Sequence, residues 1–294
     1  EITNAISIAS KNMASSSLLS YASEPAILLA EELISIVPGD TPRKVWFGHS
    51  GSDANDTIVR LVQAATGRKN FITFHGAYHG GVTGSMSVSG HSSQQHNKRK
   101  DEVFYLPYPN PYRPQYDGDL GEEVLKELDQ LFISSCPPEK VAAIFIEPIQ
   151  SDGGVIVPPS GFLKSLEKKC RDFGILIIVD EVKVGLGRSG LMHAFEHEGL
   201  SPDIVCFGKA LGGAAGGFTA ASHEIVDILR QRSRPYLFSN SLSPAVVCAS
   251  IKALEILESS NKIIPLLESR GRKKFKASIV DFAAFRSICK KIME

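Results

Sequence analysis

Short apolar strands alternating with amphipathic helices leave a chain few ways to fold, and this sequence carries five such strands. KVWFGH (44–49), NFITFHG (70–76), VAAIFIEP (141–148), ILIIVDEV (175–182) and DIVCFGK (203–209) are rich in β-branched and aromatic residues, and several are apolar on both faces. A strand with two apolar faces must be covered on both sides, which is the situation of a buried parallel sheet. Between them, 24–36, 53–67, 121–135 and 160–173 read as helices, the last opening at PPSGF with Ser160 as its expected cap. The prediction is an α/β fold: a mostly parallel central sheet with helices on both faces and right-handed crossovers.

Two stretches break the rhythm. Residues 90–118 are polar and rich in proline and tyrosine, and read as a long loop or excursion. After about 260 the pattern degrades: 268–278 is strongly basic, which suits a solvated helix end better than a binding patch, and the last sixteen residues form a candidate helix. Lysine plus arginine is 32 and aspartate plus glutamate is 32, so the chain has no net charge. It therefore lacks the positive excess that a nucleic-acid binder needs, and its apolar runs are too short to span a bilayer. Cys136, Cys170, Cys206, Cys248 and Cys289 are scattered without a CxxC pair, which fits neither a disulfide scaffold nor a zinc site and suits a reducing compartment. The chain opens at Glu1 with no methionine, basic region or apolar leader. It is expected to start within a longer protein or to have been processed; the expected location is cytoplasmic, with a mitochondrial one left open.

Four segments lie where a strand ends, the edge at which open α/β sheets collect ligands. In HSGSDAND (49–56), Gly51 allows close backbone approach and Ser52 offers a hydroxyl and an amide, so the segment is either an anion-binding helix start or an ordinary capped turn. In FHGAYHGG (74–81), Tyr78 and His79 are candidates to stack on a flat ligand, against a glycine-rich turn with a buried tyrosine. In IVDEVKVGLGRSG (178–190), Asp180 ends a buried strand and must be paired to stay charged, for instance by a protonated pyridine nitrogen; the alternative is a cap plus a surface acid, Glu181. In FGKALGGAAGG (207–217), Lys209 follows a strand into an apolar glycine–alanine run, where a partly desolvated amine becomes a Schiff-base nucleophile rather than a surface lysine. Glu147 and Asp180 are 33 residues apart and Asp180 and Lys209 are 29 apart. Each step is about one βαβ unit, which puts all three at one sheet edge. A phosphate cradle, an aromatic stack, a carboxylate and a lysine together describe a pyridoxal phosphate site.

Residues 1–207 resemble the class III aminotransferases of the fold-type I pyridoxal phosphate superfamily, which include the 4-aminobutyrate and other ω-amino-acid aminotransferases. YASEPAILLAEEL, GSDANDTIVRL, FHGAYHG, IEPIQSDGG, DEVKVGLGRSG and AFEHEGLSPDIV carry the likeness in order. The resemblance implies that Gly51 and Ser52 hold the phosphate of pyridoxal 5'-phosphate, that Tyr78 and Val182 flank its ring, and that Asp180 pairs with the ring nitrogen. It further implies that Lys209 forms the covalent link and carries the proton, and that Glu147 is a gate acid whose usual partner is a later arginine. Lys183 stands where the family usually has a glutamine facing the cofactor's phenolic oxygen, and His49 where it usually has an asparagine.

Residues 208–257 are instead similar to glycine C-acetyltransferase, also fold-type I, in which FSNS supplies phosphate contacts to the neighbouring subunit; that makes Ser239 the corresponding candidate. The chain thus reads as a hybrid joined near the lysine that both families share. Residues 1–257 are expected to form the cofactor-binding large domain, with 1–23 a remnant of an N-terminal segment. Residues 258–294 read as a helical tail or the start of a C-terminal small domain. The implied activity moves an amino group from an ω-amino acid or related amine to a 2-oxo acid, within a homodimer whose sites lie at the interface. The alternatives are an acyltransferase joining glycine and acetyl-CoA, against which FHGAYHG and DEVK argue, and a cofactor-binding protein without turnover.

Overall fold

The computed structural model describes residues 1–15, 17–18, 22–39, 42–94, 102–209, 211, 215–233, 236, 238–260 and 263. Its centre is a seven-stranded sheet of β1 (Arg43–Gly48), β2 (Asn70–Phe74), β3 (Val103–Leu106), β4 (Val141–Ile146), β5 (Leu176–Asp180), β6 (Ile204–Phe207) and β7 (Gly217–Ser222). The strand order is β1-β7-β6-β5-β4-β2-β3. Strands β3, β2, β4, β5 and β6 pair in parallel, while β7 runs antiparallel to both β6 and β1. Strand β1 is therefore parallel to β6, and the carboxyl ends of β1, β2, β4, β5 and β6 share one edge.

Eight helices accompany the sheet among the described residues: α1 (Ile2–Asn12), α2 (Glu24–Ile36), α3 (Gly51–Thr66), α4 (Thr83–Ser87), α5 (Leu120–Ser134), α6 (Phe162–Asp172), α7 (His223–Arg232) and α8 (Pro244–Ser259). The period of two sorts strand residues between the layers. In β4, Ile144 and Ile146 join one core with residues of α2, α5, α6 and α8, while Ala143 and Phe145 join a second core with residues of α3 and α7. All six residues of β4 are buried, the pattern that a sheet covered on both faces requires. None of the described helices is long and apolar enough to cross a membrane.

The five expected strands and four expected helices form, each within a few residues of its predicted bounds. The structure departs from expectation in three places. The stretch 90–118 is not loop throughout, because Val103–Leu106 pairs in parallel with β2 at the sheet edge. Four residues between a charged run and a proline-rich one carry too short a pattern to stand out. Strand β7 hides in the glycine- and alanine-rich run after Lys209, and is strand because it fills the gap between β1 and β6. Helix α6 is preceded by Gly161 at φ +86°, so Ser160 is not its cap. Residues 264–294, including the basic run and the candidate last helix, lie outside the described residues.

Candidate active site

The turn from β1 into α3 is fixed by reciprocal capping. Ser50 Oγ accepts from the Asp53 amide at 3.1 Å, and Asp53 Oδ2 accepts from the His49 amide at 2.9 Å. The opening amides of a helix have no partner within it and carry its positive end, and here they belong to Gly51 and Ser52. Gly51 is required by packing: a Cβ there would lie 2.8 Å from Cγ2 of Val182. On the other side, a Cβ on Gly217 would lie 1.9 Å from the Ser50 carbonyl oxygen, so β7 also approaches with bare backbone. Ser52 Oγ accepts from the Gly81 amide at 3.2 Å, tying the turn after β2 to the start of α3.

Asp180, at the end of β5, is 4% exposed and fully engaged. Its Oδ1 accepts from the Val182 amide at 2.9 Å, and its Oδ2 takes Nδ2 of Asn55 at 2.9 Å and Nδ1 of His79 at 2.9 Å. Asn55 Nδ2 also donates to the His79 carbonyl at 2.8 Å. Both amide hydrogens of Asn55 thus face acceptors, which fixes the orientation of its side chain. Asn55 was not singled out in the sequence; the only signal was a polar residue at a position that the helical period turns inward. His79 was expected to stack on a ligand. Its side chain is fully buried instead, with its ring 5.4 Å from that of Phe145, so it orients Asp180 from behind.

Glu147 follows β4 and is also buried. Its oxygens accept from the Tyr78 amide at 3.0 Å and from the Ser151 amide and hydroxyl at 3.0 and 2.9 Å. Burial raises its pKa, with the His79 ring opposing and the Asp180 carboxylate reinforcing the rise. Among the described residues it has no arginine partner. Glu181 is the larger surprise. It is no surface acid: it is 0% exposed, and its oxygens accept from the amides of Ala194 and Phe195 at 3.1 and 3.0 Å. Burial pushes its pKa up to about 8 against the pull of those two amides, aided by the negative charges of Asp180 and Glu196.

Lys209 follows β6 and is exposed, not desolvated as its apolar neighbours suggested. Among the described residues it makes no hydrogen bond or ion pair. It borders an open cavity of about 640 Å³ together with Gly51, Ser52, Tyr78 and Lys183. A smaller hollow shares Lys209, Gly51, Ser52 and Tyr78 with that cavity and reaches down to Asp180, Glu147 and Val182. Lys183 pairs with Asp152 across the cavity wall. Ser239 lines neither space; it is exposed beside a shallow neighbouring hollow with His49, Asp53 and Trp46. Ser243 caps α8, accepting from the Val246 amide at 3.5 Å.

The family model described as class III aminotransferase matches residues 1–269, a span that includes 208–257. The alanine/serine racemase of Pyrococcus horikoshii is 37% identical over 86% of this chain and 55% of its own length. The diaminobutyrate–2-oxoglutarate aminotransferase of Haemophilus influenzae is 34% identical over 76% of this chain and 51% of its own. The ω-transaminase of Pseudomonas jessenii, solved in complex with PMP, superposes with a TM-score of 0.81 at 29% identity, covering 90% of this chain and 62% of that one. The chain therefore spans about half the length of the curated relatives it matches.

Proposed function

The chain belongs to the class III aminotransferase family, and we propose that it holds pyridoxal 5'-phosphate and moves an amino group from an ω-amino acid or related amine to a 2-oxo acid. The observation that carries this reading is the meeting of Lys209, Asp180 and the amide end of α3 around one continuous space. The residues fit the group. A Cβ at Gly51 would meet Val182 and one at Gly217 would meet the Ser50 carbonyl, so both stay bare backbone at the start of α3, and helix-opening amides suit a phosphate. Asp180 is a buried carboxyl group whose oxygens are fixed by three hydrogen-bond partners, a side chain that can pair with a ring nitrogen.

When bound, the cofactor supplies an electron sink for charge developing on the substrate carbon. The rest is done by the chain. The amides of Gly51 and Ser52 bind the phosphate, Tyr78 and Val182 enclose the ring, and Asp180 holds a proton on its nitrogen. Lys209 Nζ, exposed at the cavity's border, takes up and returns the proton in a general acid–base role. Residues 1–257 form the cofactor-binding domain in this reading, and Ser239 reaches the phosphate of a second copy in a homodimer.

A second reading, racemisation of α-amino acids, is favoured by the identity to the alanine/serine racemase. It uses the same lysine and cofactor. The test is to load the protein with pyridoxal phosphate and add amino donors in turn. Loss of the cofactor's visible band with an amine and its return with a 2-oxo acid supports transamination. Exchange of the α-hydrogen with deuterated water and appearance of the other enantiomer, with no 2-oxo acid present, points to racemisation. Thiol release from acetyl-CoA with glycine would favour acyl transfer, and cofactor binding with none of these would overturn the enzymatic reading.

A further inference from the structure

The cavity holds two amines. Lys209 and Lys183 both line it, and any unhindered lysine condenses with an aldehyde. The difference between them lies in their partners: Lys183 Nζ is ion-paired with Asp152, while Lys209 has no hydrogen bond or ion pair among the described residues. On that contrast, and resting on the cofactor reading above, we propose that Asp152 selects the reactive lysine by occupying its competitor.

The chemistry follows from what condensation requires. The amine adds to the aldehyde carbon, the C=O double bond is replaced by a C=N double bond, and the carbonyl oxygen leaves as water carrying both amine hydrogens. A nitrogen held against the Asp152 carboxylate must break that contact before it can approach the aldehyde carbon.

Asp152 is well placed to hold the pair because its turn is tied down on every side. Ser151 is bonded through its amide and hydroxyl to Glu147, and the amides of Gly154 and Val155 return to the Ser151 carbonyl at 3.2 and 3.0 Å. The turn closes in a two-way backbone pairing of Gln150 with Ile156 at 2.9 and 2.8 Å. A Cβ on Gly153 would lie 2.1 Å from Gln150 Oε1, and Val155 adopts φ +55°, a conformation that a β-branched residue rarely takes. On the other strand end, Lys183 follows Val182, whose amide is bonded to Asp180. Both partners thus start from fixed backbone, and the pair spans the wall between the turns after β4 and β5.

The ion pair is one-third exposed on each side, so its effect is moderate and a few-fold redistribution is expected rather than an absolute one. The experiment is reduction with borohydride after incubation with pyridoxal 5'-phosphate, followed by peptide mapping of the tagged lysine. In the unaltered protein the tag belongs on Lys209. In Asp152→Asn the share on Lys183 should rise several-fold, and Asp152→Asn combined with Lys183→Gln should return the tag to Lys209 alone. Lys183 remaining untagged in a folded Asp152→Asn protein would overturn the proposal while leaving the cofactor reading intact; an untagged Lys209 in the unaltered protein would overturn both. Should Asp152→Asn not fold, the unaltered protein in rising salt decides the matter. Screening loosens a part-exposed pair, so a Lys183 share that climbs with salt supports the proposal and an invariant one refutes it.

Discussion

Asp180 shows what a single charge does at this site. Three donors converge on its carboxylate, and an amide in its place would turn N–H groups toward at least one of them. Asp180→Asn should therefore still fold, at a cost of about 1–3 kcal/mol for the mispaired donor. It should lose turnover by roughly two orders of magnitude or more, the scale on which removing one preorganised electrostatic partner acts. Steady-state rates on cofactor-loaded protein check this; near-normal turnover would show that the ring nitrogen does not depend on Asp180. The adjacent Glu181 makes a prediction of opposite kind. Burial, with Asp180 and Glu196 as its negative neighbours, raises its pKa to about 8. Between the ordinary glutamate range and about pH 8, the folded chain then holds a proton that the unfolded chain has released. Stability is fully present below that window, falls as pH rises through it and levels off above. Urea unfolding from pH 5 to 9 should show this decline, and Glu181→Gln should flatten it; an unchanged slope would mean that Glu181 is ionised throughout. The sequence placed Asp180 and Glu181 side by side at a strand end but gave no sign of their separate fates, because those are set by amides that arrive 14 residues later at Phe195.

At the scale of elements, the parallel strands were legible because each packs two apolar faces, and the four site segments were legible because strand ends are where glycines and polar residues interrupt those runs. Strand β7 was not legible: GFTAAS has small residues and no strong alternation, and its identity depends on Arg43–Gly48 arriving alongside. Nor was the role of His79, since whether an aromatic after a strand faces the cavity or the core is decided by Phe145 of β4 and by Asn55 of α3. The same junctions predict where backbone is irreplaceable. Gly217→Ala would drive a Cβ to 1.9 Å from the Ser50 carbonyl oxygen. Backbone on both sides leaves no flexible group to yield, so β7 must shift away from the start of α3. The expected result is a loss of about 1–3 kcal/mol in unfolding free energy, the usual cost of overpacking, together with weaker phosphate retention. If Gly217→Ala bound the cofactor as tightly as the parent protein, the cradle would not be formed by that approach of β7 to α3.

At the scale of the whole molecule, the open cavity and the surface around Ser239 belong to one question. Lys209 is exposed and the 640 Å³ space is open on one side, so something beyond this chain's described residues must exclude water if charge is to develop in a dry site. Near Ser239 the surface carries Phe238 at 73% exposure, and at the turn after β2 it carries Val82 at 43%. Ser239 itself borders a hollow outside its own chain's Lys209 cavity, so a contribution to phosphate binding from this residue fits a second copy better than its own. The competing account leaves Ser239 without a role, with Ser243 alone organising the segment as the cap of α8. The two accounts separate by linkage: a ligand bound across an interface stabilises the assembly by mass action. Sedimentation at rising dilution should therefore show the dimer persisting to lower protein concentration with pyridoxal phosphate than without it. Ser239→Ala should narrow that gap while leaving the cofactor-free association unchanged. A cofactor-saturated protein that sediments as a monomer would rule out the shared site, because every group needed to hold the phosphate would then come from one chain.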